Sequence, residues 1–398
     1  MKDLKHLIYF EKLLEDTHNE LIRQAKKDGK LMIGYTCYHM PEVVLNVDNC
    51  VSIRMRAPNT GAMDIASYYM SNYTCEFCRA ILERAFEGGF NFLDAFCAVD
   101  ACAMMNRMAE NLELLNLVSN DKFFVTHADI PYKVADYSVE HHMVQIRKRI
   151  LEKLHSVYGV DISDAALRDA VNRHNEICRI ITEISELRKL ENPPITGYEF
   201  HVLTMATYCC PKYLLLDKLR ETLDEIKNRQ VDDKPWYRAR VVLVGSEVDD
   251  LTLTKLIEDC GVMVVADRYC FGAIPGREVI ELNDSEDVLT QICRHYLETS
   301  ECPRFMSSDK VQQRFKTADT LLKEYNAEGI IYEQIKFCDF WGFERALASH
   351  VLTKDFGRNV LSIDRPYVSR TSGQLRTRIQ AFVESLEIKR IQKESEGA

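Results

Sequence analysis

The stretch GIIYEQIKFC at residues 329–338 is an apolar run that ends at a cysteine, and the DFWGFE that follows it predicts the start of a helix. Three other apolar runs end in the same way, in GYTC at Cys37, in FLDAFC at Cys97 and in ADRYC at Cys270. Strands that alternate with helices form parallel sheets, and such sheets bind ligands beyond the carboxyl ends of their strands. We therefore expect thiols from distant parts of the chain to meet at one site.

Apolar runs of strand length occur in two groups, separated by a helical region. The predicted strands are residues 31–37, 50–55, 91–98 and 121–129, and then residues 240–246, 261–269, 329–337 and 359–365. Between the groups lies a charged, helical pattern that Asn192-Pro193-Pro194 interrupts. The pattern predicts an α/β fold: two Rossmann-like parallel-sheet domains with an intervening helical segment. The predicted bounds are 1–137 for the N-terminal α/β domain, 138–236 for the helical segment and linker, and 237–398 for the C-terminal α/β domain.

Composition and charge exclude several classes of function. The 398 residues carry a formal net charge of −10 with no basic stripe, so nucleic acid is not an expected partner. No apolar run approaches the roughly 18 residues of a membrane span, and the charged, amphipathic N-terminus is unlike a signal peptide, which predicts a cytoplasmic protein. The chain has neither the dinucleotide fingerprint nor a GxxxxGK[ST] loop, so we expect that it does not hydrolyse ATP itself.

The 14 cysteines are the most informative residues. In a reducing compartment they do not form structural disulfides, and many are expected to be core residues. Cys50, Cys178, Cys260 and Cys293 lie in apolar periodic patterns that are typical of the core. Cys209 and Cys210 are adjacent in a helical run, so they point to different faces.

The remaining cysteines are candidate metal ligands, with packing as the alternative for each. Cys338, Cys270 and Cys37 follow strands, and Cys302 lies in the loop SECPRF. Cys75 and Cys78 form a CxxC at a helix start, but the second CxxC of a zinc ribbon is missing. Cys97 and Cys102 bracket the turn after the third strand. Dispersed soft thiolates of this kind suit an iron–sulfur cluster.

Three other side chains are candidates for a role beside the cysteines. His39, two residues after Cys37, is a candidate proton donor or partner of a ligand, and a surface histidine is the alternative. Arg304 is placed to counter the negative charge of a cluster. Arg376, in GQLRTRIQ, is a candidate contact for a CoA phosphate or for an acidic partner surface.

Several segments together resemble the 2-hydroxyacyl-CoA dehydratase and benzoyl-CoA reductase subunit family, in particular its beta-type subunits. They are GYTCYHMPEVV, TCEFCRAILE, CAMMNRM, VVADRYCFGA, GIIYEQIKFCDFWGFE and SGQLRTRIQAFVE, in family order from about residue 30 to 386. The resemblance implies a [4Fe–4S] cluster between two Rossmann-like domains, held by Cys75, Cys102 and Cys338. It also implies an ATP-hydrolysing iron–sulfur activator protein that delivers single low-potential electrons, and a homologous second subunit or a homodimer.

Cys37 and Cys302 depart from the pattern of the dehydratases but match a neighbouring branch, the double-cubane cluster proteins. In that branch the resemblance implies six ligands in one chain, namely Cys37, Cys75, Cys102, Cys270, Cys302 and Cys338. Three interpretations stay open: a subunit of an acyl-CoA dehydratase-type lyase or related reductase, a double-cubane reductase of small molecules, and a non-catalytic cluster-binding partner. Whether Cys78 or Cys97 replaces a ligand is also open.

Overall fold

Eight short apolar segments form the strands of two parallel sheets in the computed structural model, which describes residues 1–274, 277–367 and 372–396. The strands are β1 Leu31–Tyr35, β2 Cys50–Arg54, β3 Ala95–Val99, β4 Phe124–Ala128, β5 Ala239–Gly245, β6 Val262–Tyr269, β7 Gly329–Ile335 and β8 Val360–Arg365. All eight predicted strands are present, which confirms the predicted α/β class with two parallel sheets. The third begins at Ala95 rather than at Asn91, because residues 88–93 form turns closed by backbone hydrogen bonds.

The two sheets have the same topology. Their strand orders are β2-β1-β3-β4 and β6-β5-β7-β8, and every neighbouring pair is parallel. In each sheet the second strand in the chain lies on one side of the first, and the third and fourth strands lie on its other side. The strand order therefore reverses beside β1 in one sheet and beside β5 in the other. Crevices at such points, outside the carboxyl ends of the strands, are where open α/β sheets bind ligands.

Helices cover the faces of both sheets. Those around the first sheet are α1 Leu7–Leu14, α2 Glu20–Lys27, α3 Asp64–Met70, α4 Glu76–Phe86 and α5 Ala103–Leu114. Those of the C-terminal part are α11 Thr252–Asp259, α12 Val288–Glu298, α13 Ser308–Glu324, α14 Asp339–Lys354 and α15 Ser372–Glu396. Crossovers between parallel strands are usually helical, because the chain must return to the same edge before the next strand. The crossover from β1 to β2 contains a 3₁₀ helix, Glu42–Asn46.

The central region is helical. It contains α6 Asp136–Gln145, a π-helical stretch Ile146–Leu151, α7 Glu152–Tyr158, α8 Asp164–Glu186, a 3₁₀ turn Leu187–Lys189, α9 Gly197–Cys209 and α10 Lys212–Lys227. Its long helix α8 packs against α9, α10 and α12. The bounds predicted for three domains stay a prediction.

Helix α9 joins the two sheets. It contacts β2 and β6, the corresponding edge strands of the two sheets, and almost all of its residues are buried. A capping box between Thr196 and Glu199 starts it. Gly197 lets the helix approach β6 closely, since a Cβ atom there would lie 2.4 Å from the Val264 carbonyl oxygen. This packing brings the carboxyl ends of the two sheets into contact.

No helix in residues 1–274, 277–367 and 372–396 is both long and apolar enough to cross a membrane.

Candidate metal centre

Five of the 14 cysteines differ from the rest in accessibility. Cys37, Cys102, Cys270, Cys302 and Cys338 are half-buried, whereas the other nine are buried. All five were predicted ligands, and the sixth, Cys75, is 8% exposed. We call Cys37, Cys75, Cys102, Cys270, Cys302 and Cys338 the six-thiol group.

Secondary-structure termini position these thiols. Cys75, Cys102 and Cys338 are the N-cap residues of α4, α5 and α14. The Cys102 Sγ accepts a hydrogen bond of 3.4 Å from the Met105 backbone N–H. Free N–H groups and the positive end of the helix dipole favour a thiolate at such a position.

The other three thiols lie on loops at the same edge of the sheets. Cys37 and Cys270 follow β1 and β6, and Cys302 lies in the connection between α12 and α13. The chain before Cys338 is strained, because Phe337 has φ 65°, a conformation that bulky residues rarely adopt. The exposed Phe337 ring meets Tyr73 edge-on at 6.1 Å, close in sequence to Cys75.

The six thiols act on one another electrostatically. Burial is the largest cause of the raised pKa of five of them, and a neighbouring thiol of the group adds to each shift. The interacting pairs are Cys75 with Cys102, Cys75 with Cys338, Cys102 with Cys37, Cys102 with Cys302, Cys102 with Cys338, Cys37 with Cys302, Cys270 with Cys302, and Cys270 with Cys338. Hydrogen bonds join the loops that carry these thiols: Arg54 binds the carbonyls of Thr36 and Cys270, and Arg304 binds the carbonyl of Ala101. The fold therefore brings the predicted ligands of both halves together.

Burial makes five of the six thiols harder to deprotonate in the free protein. Burial raises the pKa of Cys37, Cys102 and Cys302 to about 12 and that of Cys270 and Cys338 well above the usual thiol range. The hydrogen bond from the Cys78 thiol, by contrast, lowers the pKa of Cys75. In the described part of the chain, Cys78 is the only cysteine outside the group that is a leading cause of a pKa shift in one of the six thiols.

Cys97 does not join the group. It lies inside β3, 1% exposed, rather than at the end of a strand as the sequence pattern predicted, because β3 continues to Val99. Its side chain packs in the core with that of Cys50. The prediction that Cys50, Cys178, Cys260 and Cys293 are core residues is confirmed, since all four are buried.

His39 is completely enclosed between two of the loops that carry cysteines. Its Nδ1 lies 3.6 Å from the Cys37 Sγ, its Nε2 lies 3.1 Å from the Ser300 Oγ, and the ring packs on Phe305. The Ser300 hydroxyl also accepts the N–H of Cys302. Burial lowers the pKa of His39 to about 3, so the ring is neutral and links the Cys37 loop to the Cys302 loop.

The two predicted arginines lie in different surroundings. Arg304 is 2% exposed, and its guanidinium donates to four backbone carbonyls. Arg376 lies on α15, where it pairs with Asp259 at 3.5 Å. Asp259 comes just before the amino end of β6, and the cysteines lie beyond the carboxyl ends of the strands. The prediction of a cofactor contact for Arg376 gains no support from this position.

Two charged residues of the site were missed in the sequence. Glu247 follows β5 and acts on the thiols of Cys37, Cys75, Cys270 and Cys338. Burial raises the pKa of Glu247 to about 7, although Arg54 lowers it. Arg54 is the last residue of β2, 1% exposed, and its Nη2 lies 3.3 Å from the Glu247 carboxylate. The sequence feature that could have indicated Arg54 and Glu247 is a charged residue at the carboxyl end of an apolar strand.

The described residues contain no site for a single metal ion. No three His, Cys, Asp or Glu side chains of the described residues are placed to hold a single ion. A cubane spreads its thiolate ligands over several iron atoms, so its ligands surround a larger volume than those of one zinc ion. The donor set consists of thiols, and thiolates are the ligands of iron–sulfur clusters, so these residues fit such a cluster.

Comparison with known proteins assigns a family to most of the chain. Residues 37–386 match the family model described as 2-hydroxyglutaryl-CoA dehydratase, D-component. The chain is 24% identical over 387 residues to the (R)-phenyllactyl-CoA dehydratase beta subunit of Clostridium sporogenes, covering 95% of this chain and 97% of the relative.

Two further relatives are similar over most of their length. Identity to the (R)-2-hydroxyglutaryl-CoA dehydratase subunit beta of Acidaminococcus fermentans is 22% over 380 residues, with 92% of this chain and 95% of the relative covered. Identity to a benzoyl-CoA reductase subunit of Thauera aromatica is 22% over 338 residues, with 83% of this chain and 84% of the relative covered.

Proposed function

Because the chain belongs to the 2-hydroxyglutaryl-CoA dehydratase D-component family, we propose that it is the iron–sulfur subunit of a low-potential, one-electron enzyme that acts on an acyl-CoA. Relatives that match over almost their whole length are named as dehydratase subunits and as a reductase subunit. The enzyme is accordingly a dehydratase-type lyase or a related reductase, assembled from this chain and a partner.

The observation that carries this proposal is that hydrogen bonds between the two halves join the loops of the six-thiol group. Cys75, Cys102 and Cys338 are the ligands that we assign to a [4Fe–4S] cluster, and all three are helix N-caps. Metal ions displace protons from thiols, so raised thiol pKa values in the free protein do not prevent ligation. When bound, such a cluster supplies a low-potential electron to the substrate.

The protein's own residues set the surroundings of that cluster. Arg54 and Glu247 form a buried ion pair beside the thiols, and neutral His39 contacts Cys37. The charge and hydrogen bonding around sulfur are the means by which a protein tunes a cluster's potential. His39 then acts by holding Cys37, since both of its ring nitrogens are engaged by neighbouring side chains.

We assign the supply of the electron to another protein. The sequence contains no phosphate-binding loop of the GxxxxGK[ST] type. We assign ATP hydrolysis to a separate iron–sulfur activator protein. A homologous subunit or a second copy of this chain completes the enzyme.

Cysteine variants test the ligand assignment. Protein purified without oxygen is expected to contain iron and acid-labile sulfide, and Cys102→Ala and Cys338→Ala are each expected to lose the cluster. Cys293→Ala is the matched control, because Cys293 is completely buried in α12, away from the group. Full iron content in Cys102→Ala or Cys338→Ala would refute the assignment, and an iron-free wild type prepared without oxygen would refute the proposed function.

A second candidate function is a double-cubane reductase that acts on small molecules. The observation that favours it is that the thiols of Cys37, Cys270 and Cys302 interact with the other thiols of the group, and that Arg54 joins the loops of Cys37 and Cys270. Six thiolates and a shared sulfide bridge provide ligands for two cubanes. In this form Cys302→Ala loses about half of the iron, whereas in the single-cubane form it keeps all of it.

A further inference from the structure

Two buried arginines bind the backbone of the loops that carry the six-thiol group, and each connects the two halves of the molecule. The first is Arg54, at the end of β2. Its Nε donates to the Thr36 carbonyl at 3.0 Å, immediately before Cys37, and its Nη1 donates to the Cys270 carbonyl at 2.5 Å. The guanidinium also lies 3.9 Å from the centre of the Phe271 ring. One side chain of the first half thereby holds the loops of Cys37 and Cys270.

The second is Arg304, two residues after Cys302, and it connects the halves in the opposite direction. Its Nη2 and Nε donate to the Asp100 and Ala101 carbonyls at 2.9 and 3.0 Å, immediately before Cys102. The remaining bonds, both 2.7 Å, go to the Ile130 and Pro131 carbonyls, just after β4. One side chain of the second half thereby holds the loop of Cys302 on the loop of Cys102.

The charge of Arg304 makes this arrangement unusual. A buried cation normally pairs with a carboxylate, because desolvating an unpaired charge is expensive. Within the described ranges, no Asp or Glu lies within 4 Å of the Arg304 guanidinium. Its charge acts on the Cys302 thiol, whose pKa it lowers, although burial still raises that pKa to about 12. A planar guanidinium has five N–H donors in a fixed geometry and can hold four carbonyls at once, which a lysine ammonium cannot do.

We propose that Arg54 and Arg304 are positioning residues that lock the cysteine-bearing loops of one half onto those of the other before any metal is bound. This inference rests on the proposed function, because it takes the six thiols as the ligands. These hydrogen bonds preorganise thiols that come from opposite halves. A cluster can then form without the loss of conformational entropy that ordering four loops would require.

The test is a cross-linking experiment on metal-free protein, with Arg→Lys variants that keep the charge. Dibromobimane, a short reagent that joins two nearby thiols, is applied to reduced protein, and the linked peptides are quantified by mass spectrometry. In the wild type we expect a link from Cys302 to Cys102 and a link from Cys37 to Cys270. Arg304→Lys is expected to lower the Cys102–Cys302 yield at least about fivefold, and Arg54→Lys the Cys37–Cys270 yield, since each loses at least one buried hydrogen bond.

Arg240→Lys is the matched control. Arg240 is also buried, and it also donates to backbone carbonyls, those of Tyr325, Arg188 and Leu190, but it does not touch the loops that carry the six-thiol group. Its variant is expected to give the wild-type cross-links at a similar loss of melting temperature. Should Arg304→Lys fail to fold, Arg54→Lys decides the question by the same measurement.

Iron retention gives the second readout. After reconstitution without oxygen, Arg54→Lys and Arg304→Lys are both expected to lose iron to a chelator at least about fivefold faster than the wild type and Arg240→Lys. Wild-type cross-links and retention in both folded variants would overturn the proposal, and so would an equal loss of cross-links in Arg240→Lys. A wild type that binds no iron would instead contradict the proposed function, while the cross-links would still judge the positioning role.

Discussion

Replacement of Glu344 by glutamine is expected to destabilise the protein by about 3–5 kcal/mol, the usual cost of leaving one partner of a buried ion pair without its counter-charge. Glu344 on α14 accepts two hydrogen bonds from Arg314 on α13, of 2.7 and 2.8 Å. The side chains are 4% and 5% exposed, so water cannot replace the lost charge. The third bond of Arg314 goes to the Phe305 carbonyl, close to Cys302, so the same change is expected to loosen that loop.

Urea unfolding followed by tryptophan fluorescence measures this cost, because buried Trp341 lies on the same helix as Glu344. Glu387→Gln is the control, since Glu387 pairs with Arg238 at the surface, where such a pair contributes about 0–1 kcal/mol. The double variant Arg314→Met/Glu344→Leu is expected to recover much of the loss, because it leaves no charge buried. A cost in Glu344→Gln no larger than in Glu387→Gln would refute the reasoning.

Three further outcomes follow from the geometry. Burial lowers the pKa of His142 and of His201 to about 4, below the value of about 6.5 in the unfolded chain. The unfolded chain therefore binds more protons, and the free energy of unfolding falls as the pH is lowered from about 6.5 to about 4, by up to about 1.4 kcal/mol per pH unit for each histidine. Urea unfolding measured from pH 7 to pH 4 checks this, and an equally steep fall in His201→Gln would count against it. Thr196→Ala removes the cap of α9 and is expected to cost about 1 kcal/mol in urea unfolding, with no change in stability as the contrary result. Cys97→Ser places a hydroxyl group in the core beside β3, which is expected to lower the free energy of unfolding by about 1–3 kcal/mol. The iron content per folded chain is expected to stay unchanged, and a lower iron content would indicate that Cys97 is a ligand.

The sequence predicted the strands and the shared location of the cysteines because both are local signals. Apolar runs of strand length and the position of a cysteine after such a run can be recognised without knowing what packs against them. The error at Cys97 shows the limit, since strand bounds depend on pairing with β4 through residues 95–99. Moving the end of the strand by two residues, from Cys97 to Val99, changes Cys97 from a residue at the strand end to a residue inside the core.

The parts of the site that were missed depend on contacts between the halves. Arg54 and Glu247 pair across 193 positions of sequence, and the carbonyls bound by Arg304 are more than 170 positions away. A lone charged residue at a strand end is equally typical of the solvent-exposed boundary of a sheet. Only the packing of one sheet edge against the other determines that these side chains are buried beside thiols.

The number of irons bound per chain is the most direct measurement of whether thiols of both halves form one metal centre. Protein isolated without oxygen and analysed for iron and acid-labile sulfide is expected to contain about eight irons and about nine sulfides if all six thiols ligate, and about four of each if only Cys75, Cys102 and Cys338 do. In both cases Cys338→Ala lowers the content. Wild-type protein without iron, or Cys338→Ala with the wild-type amount, would contradict the account.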